Sequence, residues 1–429
     1  MNTLNKIDFL LKKLFNLNRS LISKDNIKTL NYIKKEIPIN IIGLKSGTKV
    51  FDWKVPKEWI IDEAYIADIH NKKIIDFKNN FLHVLGYSRK INKVLTFDKL
   101  KKNIYLSKKL PSSIPYRTSY YKKNWGFCVN LNQYKDLKKR KKLKVRIKSR
   151  FENGKMLIGE LLVKGKSKKE ILISTYICHP NMANDNLSGI ILNTLLAKKL
   201  FKKNLNWSYR FVFHPETIGA LVHLKLRSKQ LKNVIGGFVL SCVGGKGQYF
   251  YKKSFDENHF INKLVINYFK TKNIKLNVSN FDIHGSDERQ YSSQGFKINL
   301  STISKSKYYE YKEYHTSKDD LNFVNKENIY KTYKLYLDII NLIEKQEIYE
   351  NTVKFGEPKL SNYNLYPSIG GSILPNKKNI NYLDYILWIL FYSDGKRTKE
   401  QIFQELNLKR KIYNKILDLL IKKKLLKKI

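Results

Sequence analysis

The chain has 429 residues, 42% of them apolar and 13% aromatic, enough to bury real cores, so global disorder is excluded. No run nears the roughly 18 to 20 apolar residues of a spanning helix, and three scattered cysteines argue against a disulfide-stapled secreted fold. Its 83 Lys and Arg against 36 Asp and Glu give a formal charge of +47. Most of that excess is Lys spread along the whole chain, beside much Asn, Ile and Tyr. An AT-rich genome yields such a mixture without selection for phosphate binding, so nucleic-acid contact is expected to be weak and non-specific at most.

Residues 1 to 45 alternate apolar and basic positions at helical spacing (Ile7, Leu10, Leu11, Leu14, Phe15), which predicts two amphipathic helices on a larger body. Lys12 and Lys13 interrupt the opening segment, so it reads as a surface helix rather than a signal peptide, and the expected compartment is the cytoplasm. From Val50 to about Lys155 short strands are expected, among them Tyr65 to Ala67, Lys73 to Phe77 and Phe81 to Leu85. Residues 156 to 345 alternate strand and helix, the pattern of a sheet covered by helices. Strands are predicted at Ile171 to Tyr176, Tyr209 to Phe213 and Val234 to Leu240. The matching helices are Leu187 to Leu200, Ile218 to Arg227, Phe260 to Lys272 and Lys326 to Lys345. A stretch with Gly356, Pro358, Pro367, Gly370, Gly371 and Pro375 reads as a linker. Three helices follow, about Tyr382 to Tyr392, Lys399 to Leu406 and Lys409 to Lys423.

Four segments place His and carboxylates after predicted strands, where open α/β sheets carry their sites. They are Cys178-His179-Pro180 through Asp185-Asn186-Leu187-Ser188-Gly189; His214-Pro215-Glu216-Thr217-Ile218-Gly219; Gly285-Ser286-Asp287-Glu288; and Tyr314-His315-Thr316-Ser317-Lys318-Asp319-Asp320. Imidazole and carboxylate donors suit Zn²⁺, which needs about three protein ligands and an open position in a catalytic site. Each residue also has a structural reading. His179 could be a satisfied core histidine, Asp185 a helix cap, and Glu216 a charge favouring a helix N-terminus. His214 and His284 read as structural or rim residues, and Arg289 and Tyr291 are candidates to hold an anionic substrate group.

The order and wording of these segments resemble the zinc aminopeptidases of the phosphorylase/hydrolase-like α/β fold. Ser46-Gly47-Thr48, Asp52-Trp53, Tyr87-Ser88, Ile114-Pro115-Tyr116-Arg117 and Trp125-Gly126-Phe127 extend the match to a bacterial aminopeptidase-like family of uncharacterised function. The resemblance implies N-terminal helices and a first strand of the aminopeptidase-like domain (1–55) and an inserted β-rich domain (56–150). The catalytic domain (151–348), a linker (349–379) and a winged helix-turn-helix (380–429) follow. It places His179, Asp185 and His315 at ligand positions and Glu216 at the base position, with Asp287 a further candidate ligand, and it implies a cis peptide between Asp185 and Asn186. Three positions depart from the pattern: His179-Pro180-Asn181 lacks the Asp that orients the first His, and two more concern ligands. Thr217 replaces a ligand Glu, and Leu240-Ser241-Cys242-Val243-Gly244 lacks the strand-end Asp, so one Zn²⁺ is expected, with two left open.

The function expected from this is a zinc-dependent hydrolase cleaving an amide by water attack. Its substrate would be a peptide N-terminus, or an N-acyl or amino-acyl group in a surface-polysaccharide precursor. No membrane partner is expected, and a homo-oligomer stays open. The rival is a catalytically degenerate binding or regulatory protein that uses the winged helix for protein or DNA contact.

Overall fold

A computed structural model describes residues 2–120, 122–366 and 381–429. Its first two helices, Thr3–Phe15 and Lys24–Glu36, start where the side chains of Asn2 and Ser23 accept the N–H groups of Asn5 and Asn26. Their apolar stripes, Ile7, Leu10, Leu11 and Leu14 on one and Leu30 and Ile33 on the other, bury in the core of the main domain.

That domain is built on an eight-stranded mixed sheet. The strand order is Asn40–Lys45, Lys155–Val163, Ser208–His214, Glu170–Tyr176, Val234–Val239, Leu300–Lys305, Tyr249–Lys252 and Leu276–Ser279. The four strands from Ser208–His214 to Leu300–Lys305 run parallel. Every residue of Glu170–Tyr176 and Ser208–His214 is buried, as central strands covered on both faces require. Helices Gly189–Leu200, Phe260–Thr271 and Lys326–Glu344 pack into one core and Ile218–Leu226 into another. The architecture is the α/β aminopeptidase-type fold expected from the sequence, with helix ends within two residues of the predicted ones.

The inserted segment folds around a four-stranded antiparallel sheet ordered Lys73–Asp76, Glu58–Ala67, Leu143–Glu152 and Ile91–Leu95. Trp59, Ile66, Phe127, Val145 and Ile147 fill its core. The strand predicted from Phe81 to Leu85 is not formed, and Phe81–His83 is a single 3₁₀ turn. Asn80 Oδ1 accepts the Leu82 N–H (2.9 Å) and Asn181 Oδ1 accepts that of Phe81 (2.9 Å), so these donors are used before a ladder can form.

The C-terminal domain has helices Tyr382–Tyr392, Lys399–Leu406 and Arg410–Lys422 and a three-stranded sheet. Ile348–Asn351 is the middle strand, between Asp394–Thr398 and Leu426–Lys428. Residues 349–351, read from the sequence as the front of a linker, are therefore part of this domain. Its buried Tyr349 and Leu360 join the core formed by Ile389, Ile402, Tyr413 and Ile416. Pro367, Gly370, Gly371 and Pro375 lie outside the described residues. No helix among the described residues is long and apolar enough to cross a membrane.

Candidate functional site

The site forms beyond the C-terminal ends of the parallel strands. Strand Glu170–Tyr176 runs into the loop carrying Cys178 and His179, then into a wide turn, Ala183–Ser188, that holds Asp185. The Asp185–Asn186 peptide is cis, as the resemblance implied. The turn lies so close to the following helix that a Cβ on Gly189 would stand 2.4 Å from Asn186 Oδ1. Glu216 follows strand Ser208–His214, and His315 lies in the loop after strand Leu300–Lys305. His179, Thr217 and His315 all have positive φ, at 85°, 60° and 54°. For residues with a Cβ such angles cost of the order of 1 to 3 kcal/mol and gather where a loop must aim a side chain.

His179, Asp185 and His315 converge, each offering a donor atom within 4.8 Å of the others. His315 Nε2 stands 3.0 Å from Asp185 Oδ2, and His179 Nδ1 4.0 Å from Asp185 Oδ1. Burial drives the His179 imidazole down to about 4, which leaves it neutral at physiological pH. Burial works to raise the Asp185 carboxyl, but His179, His315 and the Tyr176 hydroxyl outweigh it and hold the group at about 2. The pair is thus in the protonation states a metal needs. His179 Nδ1 is buried without a hydrogen-bond partner among the described residues, and Asp185 Oδ2 meets only the His315 ring. Orphaned polar atoms of this kind call for a missing partner, and two imidazoles with a carboxylate fit a zinc ion.

Residues not put forward as ligands or base aim these donors. The Tyr176 hydroxyl donates to Asp185 Oδ1 and meets Ser241 Oγ at 2.8 Å. Asp319 accepts the backbone N–H groups of Asn184 and Asp185 and the Tyr311 hydroxyl (3.1 Å), fixing the turn from below. Tyr176 was visible as the last residue of a predicted strand, and Asp319 as the end of His-Thr-x-x-Asp. Their contacts depend on chain separations that spacing does not reveal.

Glu216 sits against the same group, Oε2 lying 3.6 Å from His179 Nε2, and accepts the Ser286 hydroxyl at Oε1 (2.8 Å). Burial pushes its carboxyl well above the ordinary range, and Asp287 and Asp185 add to that. Asp287 stands outside the convergent donors. Its Oδ1 accepts the Thr217 N–H (2.7 Å), so it holds the residue after Glu216 rather than joining the ligand group. Glu288 is tied to Ser286 N–H and the Thr302 hydroxyl. Arg289 is exposed at the rim and donates to the Ile283 carbonyl (3.1 Å). Tyr291 corrects the sequence reading. It is fully buried, its hydroxyl 3.2 Å from His214 Nε2 and 2.9 Å from His223 Nδ1, so it faces the core and not a substrate.

The inserted domain completes the surroundings. Tyr116 N–H donates to the His315 carbonyl (2.8 Å) and Ser317 N–H to that of Ile114 (2.8 Å), while the Tyr116 ring stands edge-on to both His179 and His315. A cavity of about 260 Å³ opens beside Glu216, between Trp53, Tyr87 and Tyr120 on one side and Cys178 and Ile218 on the other.

Comparison with known proteins follows the same division. Residues 9–346 match a family described as a domain of unknown function, DUF4910, and residues 347–428 match a winged helix-turn-helix family. A Clostridium acetobutylicum protein, named as a candidate polysaccharide biosynthesis protein with an aminopeptidase-like domain, is 38% identical over 91% of this chain and 88% of its own. The crystal structure of a candidate peptidase from the same organism superposes with a TM-score of 0.79 at 38% identity, covering 100% of this chain and 97% of that one. A zinc aminopeptidase of Bacillus subtilis shares the fold alone, with a TM-score of 0.58 at 12% identity over 80% of this chain and 94% of its own.

Proposed function

We propose, for a chain that belongs to the DUF4910 family, that it is a zinc-dependent hydrolase of an amide bond. One observation carries this reading: His179, Asp185 and His315 converge, with His179 Nδ1 buried and unpartnered among the described residues, beside a carboxylate in a cavity. These three residues would hold the metal. When bound, zinc supplies a Lewis acid that polarises a carbonyl and makes water acidic. Glu216 takes a proton at its free carboxylate oxygen and returns it to the departing nitrogen, while Ser286 holds the other oxygen. Tyr176 and Asp319 keep Asp185 aimed, and Tyr116 holds the His315 loop.

A single zinc suits the donors present. Thr217 and the Ser241-Cys242 strand end bring no carboxylate where the resembled enzymes have two. The substrate is a peptide N-terminus or an N-acyl or amino-acyl group of a surface-polysaccharide precursor, the latter supported by the name of the Clostridium relative. The same two absent carboxylates favour the second reading, a binding or regulatory protein without turnover. Metal analysis decides between them. His179→Ala and His315→Ala should each lower zinc content sharply against the wild type, because each removes one of three donors. Wild-type stoichiometry in both variants would sink the assignment, and a metal-free wild type from zinc-supplemented cells would favour the binding protein.

A further inference from the structure

Cys178 immediately precedes His179 and is the one thiol at this site that faces the cavity. Its sulfur, a His179 ring nitrogen and a Glu216 carboxylate oxygen all lie within 4.8 Å of one another, a second donor triad that shares His179 with the first. The two triads meet on opposite edges of one imidazole: Nδ1 is 4.0 Å from Asp185 Oδ1, and Nε2 is 3.6 Å from Glu216 Oε2. The Glu216 N–H donates to Cys178 Sγ (3.2 Å), which pins the sulfur against the carboxylate's own backbone. Both residues line the cavity of about 260 Å³ between body and insert, so a solvated cation has a way in.

The two triads differ in chemistry. Asp185 and His315 offer oxygen and nitrogen; Cys178 offers a polarisable sulfur, which selects soft divalent cations over hard ones. We infer that Cys178, His179 and Glu216 form a second cation position, overlapping the first and specific for a thiophilic divalent ion such as Cd²⁺ or excess Zn²⁺. Binding there releases the thiol proton to solvent and places the sulfur on the metal. The consequence for chemistry is direct, because an ion on that triad engages the Glu216 carboxylate and takes it out of proton transfer. Only this consequence rests on the hydrolase reading; the donor triad stands without it.

The test is a Cd²⁺ titration of the full-length, chelator-stripped chain, following the ultraviolet thiolate-to-cadmium charge-transfer absorption. Wild type and Cys128→Ser should gain about one thiolate's absorption, Cys178→Ser should lose it, and Asp185→Asn, impaired only in the first triad, should keep it. Full absorption in Cys178→Ser, or none in the wild type, overturns the proposal. X-ray absorption of the wild-type cadmium derivative guards against a misfolded variant: one sulfur neighbour supports the position and an all-oxygen-and-nitrogen shell overturns it. Zinc content of the same preparations, measured as purified and before stripping, separates the two centres. Cys178→Ser with normal zinc but no cadmium absorption supports both, and a zinc-free wild type that still shows the absorption sinks the first centre while supporting the second.

Discussion

Glu160, Glu170 and Arg210 sit side by side on three strands of the central sheet, each side chain no more than 5% exposed. Arg210 donates to Glu170 through Nε and Nη2 (2.6 and 2.8 Å) and to Glu160 through Nη1. Arg227 and His223 take the remaining positions on Glu160, at 2.8 and 3.2 Å. Beyond the strand ends, the same sheet carries a second set of buried polar groups that is left open. His179 Nδ1, Asn184 Nδ2 and Asp287 Oδ2 are buried without a hydrogen-bond partner among the described residues, and Asp185 Oδ2 meets only His315. Burial raises the carboxyls of Asp287 and Asp319 to about 7 there. The closed cluster pairs its buried charges within the fold, whereas the groups at the strand ends keep open positions that fit the proposed metal.

The largest effect expected from this contrast is on the closed cluster. Arg210→Met leaves two buried carboxylates facing each other and should cost about 3 to 5 kcal/mol in urea unfolding. A loss under about 1 kcal/mol would mean that the cluster is not the tight structural unit its geometry describes. At the open end, Glu216→Gln should leave the unfolding curve and zinc content in place while lowering turnover on a working amide by about 10² or more. Unchanged turnover would remove Glu216 from the mechanism and turn the contrast into one of packing alone.

Much of this architecture could be read from residues. The helices Tyr382–Tyr392 and Lys399–Leu406 fall where the spacing predicts them, because Asn381 and Thr398 begin them with reciprocal caps to Asp384 and Gln401. Glu170–Tyr176 was legible as a short apolar run. Leu276–Ser279 and Leu300–Lys305 were not, since LNVS and LSTISK mix small polar residues with few large apolar ones; the first is a sheet edge with no buried residue, and the second acquires its burial from neighbouring strands. Spacing also nominated His179, Asp185, Glu216 and His315, which the fold brings together. It misplaced Tyr291, whose core-facing direction depends on His214 and His223 from other elements. It also passed over Cys178 as a donor, because Glu216 reaches it from a different strand end.

Acid should separate the two clusters next. Burial works to raise the Glu160 carboxyl, but the bond from His223, the charges of His223 and Arg210 and the bond from Arg227 outweigh it and bring it from 4.5 to about 2. A carboxyl lowered in the folded state contributes stability that is complete above its unfolded value and disappears as pH falls through the folded one. The window is therefore about pH 4.5 down to pH 2, and the size is about 3 kcal/mol for a shift of this order. Urea unfolding between pH 6 and about pH 2.5 should show this loss in the wild type and a flatter profile in Glu160→Gln. Parallel profiles would show that the cluster is not what titrates.

The smallest effect belongs to the C-terminal domain, which carries neither set of groups. Removing the residues after Pro367 should leave zinc content unchanged, since the convergent donors all precede Asp319. Unfolding should shift modestly, because Ile348–Asn351 loses both of its strand partners and Gln401 no longer donates to the Asn258 carbonyl (2.9 Å). The third helix, Arg410–Lys422, buries Tyr413, Ile416, Leu417 and Leu420 and turns Lys411, Lys415 and Lys422 outward. Arg410 is already engaged, bidentate on Glu400 at 2.8 and 2.7 Å, with its guanidinium 3.5 Å from the Phe403 ring centroid. What remains is lysine charge without a fixed donor fork, which meets phosphates but reads no base edge. Fluorescence anisotropy should therefore find the same weak affinity for unrelated duplexes, collapsing as salt rises. A footprint on one operator that survives physiological salt would give this domain a built site of its own and promote the regulatory reading over the enzyme.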